Sequence, residues 1–109
     1  MKLAIIGSRN LHVENLSDYI PEGVTEIISG GAHGIDSCAR EFAVQNGIRL
    51  TEFLPDYRRY GRGAPLKRNI LIVDTTDEVL AFWDGNSRGT AYTISYAREK
   101  SKNVRVIML

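Results

Sequence analysis

The stretch Ser29–Arg40, SGGAHGIDSCAR, crowds Gly30, Gly31 and Gly34 between an apolar run and a run of helical pattern. A turn needs one or two glycines. Three so close together imply that the main chain approaches something closely and leaves its amide N–H groups uncovered. A helix start behind such a loop adds free N–H groups and partial positive charge, which together make a seat for an anion such as a phosphate. A second stretch, Asp84–Thr90 (DGNSRGT), repeats the device with Gly89 at a helix start. There Ser87 and Thr90 offer hydroxyls that can bond a phosphate or cap the helix.

Other side chains extend this chemistry. Arg9 follows Gly7-Ser8 at the end of the first apolar run, where a guanidinium can grip a phosphate with two bonds. Asp36 falls in the first turn of its helix, favoured there by the macrodipole or else directed at a ribose hydroxyl or a loop amide. Arg68 and Asn69 fall near a helix start and are candidates for the same cleft. The span Asp56–Arg68 carries Arg58, Arg59, Arg62, Lys67 and Arg68 with Tyr57 and Tyr60 interleaved. That mixture suits phosphates, bases or single-stranded nucleic acid, and equally a solvated loop. Trp83 and Asp84 close another apolar run, with Trp83 a candidate wall for a base. His33 sits within the glycine loop, His12 has no evident partner, and Cys38 falls on an apolar helix face. Two distant histidines and a single cysteine give no readable metal site. No serine–histidine–acid triad is indicated. The phosphate-binding fingerprints GxGxxG and GxxxxGK[ST] are absent, so ordinary dinucleotide or ATP-hydrolysis assignments lack support.

The elements that must position these groups follow from periodicity. Lys2–Gly7, Val24–Ser29, Ile48–Leu54, Glu78–Trp83 and Val104–Leu109 are short apolar runs suited to buried strands. Between them, apolar residues recur at helical spacing. Val13, Leu16, Tyr19 and Ile20 predict a helix stopped by Pro21 and Gly23. Ile35, Cys38, Ala39, Phe42 and Ala43 predict a second, ended by Asn46-Gly47. Ala64–Thr75, with Pro65 in its first turn, and Thr90–Ser101 complete the set. Strict strand–helix alternation excludes hairpins. It predicts a five-stranded parallel sheet inside a three-layer Rossmann-like α/β/α domain spanning residues 1–109, with strand order 3-2-1-4-5. Ligands of such sheets bind beyond the carboxyl ends of the strands, where the order reverses. The loops after strands 1, 2 and 4 should meet there. They bring Gly7, Ser8 and Arg9; Ser29, Gly30, Gly31, Ala32, Gly34 and Asp36; and Asp84, Ser87, Gly89 and Thr90.

At 109 residues the chain suits one domain, and 43% hydrophobic with 25% charged residues excludes disordered and collagen-like classes. A formal net charge of +1 supplies no global field for nucleic acid or membrane, so any anionic partner must be met locally. The apolar start LAIIG is too short for a signal peptide or membrane span, and one cysteine allows no internal disulfide, so a cytoplasmic location is expected. Tyr92, Ile94 and Tyr96 on the last helix are candidates for a homodimer patch. Such a patch would relieve a small domain that must cover both sheet faces.

Taken together, GSR (7–9), SGGAHGIDSCAREFA (29–43), KRN (67–69) and FWDGNSRGT (82–90) resemble the SLOG superfamily over nearly the whole chain. That group joins the Rossmann-like domain of DNA-processing protein A (Smf) with the "lonely guy" phosphoribohydrolases. The chain is most similar to its small single-domain YspA/YpsA-related branch. The resemblance implies binding of a nucleotide or nucleotide-derived small molecule, as sensor or carrier, with no further cofactor required. It also implies two alternatives, hydrolysis of the N-glycosidic bond of a nucleoside 5'-monophosphate and binding of single-stranded DNA. Gly30, Gly31 and Gly34 correspond to the family's first glycine motif, and Ser87, Gly89 and Thr90 to its second. Arg68 stands where the enzymes place an arginine near the scissile bond. The chain departs from the enzymes at Thr93, where their motif carries a glutamate. A hydroxyl cannot stabilise an oxocarbenium-like transition state as a carboxylate does. Asp36, Glu41 and Asp84 are the candidate replacements.

Overall fold

A computed structural model describes residues Met1–Leu109. Five strands, β1 (Lys2–Gly7), β2 (Glu26–Ser29), β3 (Arg49–Glu52), β4 (Glu78–Trp83) and β5 (Asn103–Met108), form one sheet. All pairings are parallel and the order is β3-β2-β1-β4-β5, as the alternation predicts. The reversal therefore falls between β1 and β4. The two central strands are the most continuously buried, because a parallel sheet covered on both faces leaves no strand face for water.

Helix α1 (Ile35–Gln45) covers one face. It meets Leu3, Ile5, Ile27, Leu80 and Phe82 through Ile35, Cys38, Ala39 and Ala43. Helices α3 (Ala64–Thr75) and α4 (Arg88–Glu99) cover the other, packing Ile72, Val73, Ile94 and Ala97 on Ala4, Ile6, Ile28, Val79 and Ala81. A four-residue helix, α2 (Tyr57–Tyr60), precedes α3, started by Asp56, whose carboxylate accepts the Arg59 amide at 3.2 Å. No helix is long and apolar enough to cross a membrane.

The first predicted helix is corrected. Val13–Ile20 contains only a 3₁₀ turn, Leu16–Tyr19. The spacing Val13, Leu16, Tyr19 is three residues, the period of a 3₁₀ turn, and one short segment cannot repay the nucleation cost of an α-helix. Val13 and Leu16 are still buried against α1, so the apolar residues reach the core without the helix. Of the residues named for a dimer patch, one is not at the surface. Ile94 is buried beneath α4, Tyr96 donates to Asp74 Oδ1 at 2.8 Å, and only Tyr92 of the three is exposed.

The tightest backbone approach lies between the loops after β1 and β2. Gly34 has φ 72° and ψ −123°, and a Cβ there would collide with the carbonyl of Arg9 and crowd that of Ser8 at 2.8 Å. Backbone cannot yield as a side chain can. Gly34→Ala is expected to cost roughly 2–4 kcal/mol, from a forbidden φ plus overpacking. Gly47→Ala, at φ 64° with nothing within 4 Å, should cost about 1 kcal/mol. Urea unfolding of the two variants checks the difference.

Candidate functional site

The carboxyl ends of β1, β2 and β4 open into a cleft of about 430 Å³. The loop after β1 lines it with Gly7, Ser8, Arg9 and Asn10. The loop after β2 adds Gly30 and Ala32, and α1 adds Asp36. From α3 come Pro65, Arg68, Asn69 and Ile72; from the start of α4 come Ser87, Gly89, Thr90 and Thr93. The separate bends thus converge, as the strand order requires.

A chain of hydrogen bonds built on Arg68 floors the cleft. Arg68 as a residue is 7% exposed. Its Nη1 donates to the carbonyls of Gly30 (2.6 Å) and Phe53 (3.2 Å), and its Nε donates to Asn69 Oδ1 (2.8 Å). Asn69 Nδ2 donates to Thr93 Oγ1 (2.9 Å), whose hydroxyl donates to the Gly89 carbonyl (2.8 Å). One polar line therefore runs from the β2 loop across α3 to the first turn of α4. Arg68 Nη2 has no protein acceptor. The role of Gly30 follows from this chain, since a Cβ there would collide with Arg68 Nη1. The glycine's close neighbour is the protein's own guanidinium.

Asp36 is the carboxylate of the cleft. Its Oδ2 accepts the Ala32 amide at 3.1 Å, and it faces Arg68 across Gly30 without a contact ion pair. The chain's only contact ion pair is Arg40 to Glu52, 2.9 Å. Burial pushes the Asp36 carboxyl above the usual carboxylate range, while the Ala32 amide, the charge of Arg68 and the nearby Ser29 hydroxyl pull it back. Burial likewise lowers the Arg68 pKa, Asp36 raises it, and Arg9 lowers it again as a like charge. Arg9 itself is exposed and unpaired. The cleft thus holds two cations against one carboxylate.

Unused donors face this positive balance. The amides of Arg9, Asn10, Gly30 and Gly89 donate to no protein acceptor. Ser8 Oγ, in a residue 2% exposed, and Ser29 Oγ, in one fully buried, make no hydrogen bond, though the Asp84 carboxylate lies near the first and the Asp36 carboxylate near the second. A native structure satisfies almost all buried polar groups, so the unpaired hydroxyl of Ser8, which lines the cleft, is free to bond an atom placed there. At the start of α4, Ser87 acts as the cap: its Oγ accepts the Thr90 amide at 3.4 Å and donates to Thr90 Oγ1 at 3.1 Å.

Several sequence candidates stand outside the lining. Ser29 is buried behind it. Gly31, at φ 69°, turns toward Leu54 and Glu52, and Gly34 is pressed on the Arg9 backbone. Asp84 accepts the amides of Asn86 and Ser87, both at 2.8 Å, which shape its loop and hold its carboxyl below the usual range. Trp83 donates to the Ser87 carbonyl at 3.0 Å and packs beside the α3–α4 core, and it lines no part of the cleft. Glu41 lines a different groove and His33 is exposed. Arg58, Arg59, Arg62 and Lys67 line no part of the cleft; Arg59 and Lys67 lie over the Tyr60 ring at 5.2 and 5.8 Å. Asn10, Pro65 and Ile72 were unmarked as cleft residues by any motif. Asn10 was accessible by adjacency to Arg9, whereas the other two owe their place to the packing of α3.

Comparison with known proteins finds no match: no protein-family model, characterised protein or solved structure aligns significantly with the chain.

Arg68→Met is expected to destabilise the fold by roughly 3–5 kcal/mol, because three acceptors lose a charged donor. For about 100 residues this lowers Tm on the order of 15 °C. The same variant removes an attraction that favours ionised Asp36, so the Asp36 titration should move further up. Between the unfolded value near 4 and its raised folded value, Asp36 holds a proton that the unfolded chain has released. Its contribution to stability is therefore full below that window and is lost as pH rises through it. Carboxyl NMR titration and urea midpoints against pH report both effects; an unmoved Asp36 titration would contradict the coupling.

Proposed function

We propose that the cleft binds a nucleotide or nucleotide-derived small molecule, with its phosphate at the wall formed by Ser8, Arg9 and the start of α4. The observation that carries this reading is the orphaned Ser8 hydroxyl beside unpaired Arg9 and unused loop amides, in a cleft with more positive than negative groups. The volume of about 430 Å³ falls in the range of small-molecule sites. Asp36 and Asn69 then lie where a sugar would extend, the carboxylate accepting from its hydroxyls. The sequence resemblance to SLOG proteins supports the same ligand class. A sensor or carrier role needs nothing beyond this binding.

A second reading, hydrolysis of an N-glycosidic bond, rests on one observation. Asp36 is a carboxylate lining the cleft close to Arg68, while Thr93, at the position of the enzymes' glutamate, is committed to Asn69 and Gly89. Asp36 would then stabilise the developing cation on the sugar. Release of ribose 5-phosphate from AMP, lost in Asp36→Asn while AMP still binds, would establish it. Absence of release from every nucleoside monophosphate leaves binding alone.

Thermal denaturation with AMP, ADP-ribose and adenosine tests the main reading. A phosphorylated ligand at 100 times its Kd adds about 2.7 kcal/mol, a rise of roughly 10 °C or more. Adenosine should do far less. Arg9→Ala, which removes an exposed side chain, should weaken the phosphorylated ligand about tenfold or more. Equal responses to AMP and adenosine, or none to any phosphorylated ligand, would refute the placement of the phosphate.

A further inference from the structure

A second groove, of about 360 Å³, lies between α1 and the segment from His12 to Ser17. It is lined by His12, Glu14, Cys38 and Glu41, among others. Cys38 Sγ lies 3.3 Å from His12 Nδ1 and accepts the Val13 amide at 3.4 Å. The two residues come from separate segments, so the pairing is tertiary. A thiol beside an imidazole is the arrangement that activates sulfur as a nucleophile, because the imidazole can take its proton and a fixed amide steadies the thiolate. Cys38 is 4% exposed, so access is through the groove rather than from bulk solvent.

We propose that Cys38 and His12 form a nucleophilic thiol–imidazole pair, a modification site for small neutral electrophiles of the hydroperoxide class. In the step, His12 Nδ1 takes the thiol proton and the sulfur attacks the terminal peroxide oxygen. An S–O bond forms and the O–O bond breaks. The leaving alkoxide or hydroxide recovers the proton from the imidazolium. Sulfur is oxidised to a sulfenic acid, and the peroxide is reduced to an alcohol or water. The groove's own charges set the selectivity. Its titratable groups besides the pair are Glu14 on the loop and Glu41 on α1; the 3₁₀ turn contributes only Leu16 and Ser17. Two carboxylates and no lysine or arginine disfavour anionic reagents.

The chain has one cysteine, so whole-protein mass spectrometry reads Cys38 alone. At about pH 6, where an ordinary thiol of pKa ~8.5 is almost wholly protonated, native protein should react with iodoacetamide about tenfold or more faster than the urea-unfolded chain. The native rate should fall to or below the unfolded rate in His12→Asn, an exposed position, with unchanged circular dichroism. Iodoacetate should be disfavoured relative to iodoacetamide more strongly by the native protein than by the unfolded chain. Hydrogen peroxide should yield a dimedone-trapped sulfenic acid in the wild type and not in His12→Asn. A native thiol slower than the unfolded one in wild type, or equal rates with and without His12, would show a merely buried cysteine and overturn the proposal.

Discussion

The Arg68 guanidinium is the constraint around which the cleft is arranged. It comes from α3, yet its hydrogen bonds end on the loop after β2 and on the segment leaving β3. Through Asn69 and Thr93 the same line reaches the α4 start. Elements distant in the chain are thereby held at one spacing. Burying a cation costs free energy unless every donor is used, and here Nε and Nη1 are satisfied by the protein. The remaining nitrogen, with Arg9, leaves the cleft short of negative charge. The arrangement that holds the loops together also leaves the hollow lined by two cations and one carboxylate.

This arrangement explains why the glycines lie where they do. The expectation from their spacing was a close approach of main chain to some partner. At Gly30 that partner is Arg68, and at Gly34 it is the backbone of Arg9. Internal packing therefore uses two of the three glycines. Thr93 shows the same economy. Its hydroxyl both accepts from Asn69 and donates to the Gly89 carbonyl, and so completes a line that an acceptor-only carboxylate could not close in the same way.

The parallel sheet order, the reversal between β1 and β4 and the convergence of three loops were legible because alternating elements admit few topologies. Gly7, Ser8, Arg9, Gly30, Ala32, Asp36, Ser87, Gly89 and Thr90 reach the cleft because they occupy strand ends whose direction the alternation dictates. From the residues alone, Arg68 and Asn69 were recognisable as no more than candidates near a helix start. The helix over Val13–Ile20 was misread because a spacing of three serves a 3₁₀ turn as well as an α-helix, and apolar pattern alone does not separate them. Ile94 was misassigned to the surface because the rotation of α4 about its axis is decided by the core it meets.

Sequence by itself determined the class of fold and the edge at which its polar loops gather, since periodicity and connection order are properties of the chain. Tertiary structure alone decided which groups remain unsatisfied. Whether Ser8 has a partner, whether Asp84 serves a loop or a ligand, and whether His12 meets Cys38 depend on atoms brought together across 26 residues or more in some cases. Hydrogen bonds act over about 3 Å and at restricted angles. A linear pattern carries no information at that precision, so the chemistry of the cleft is set by packing.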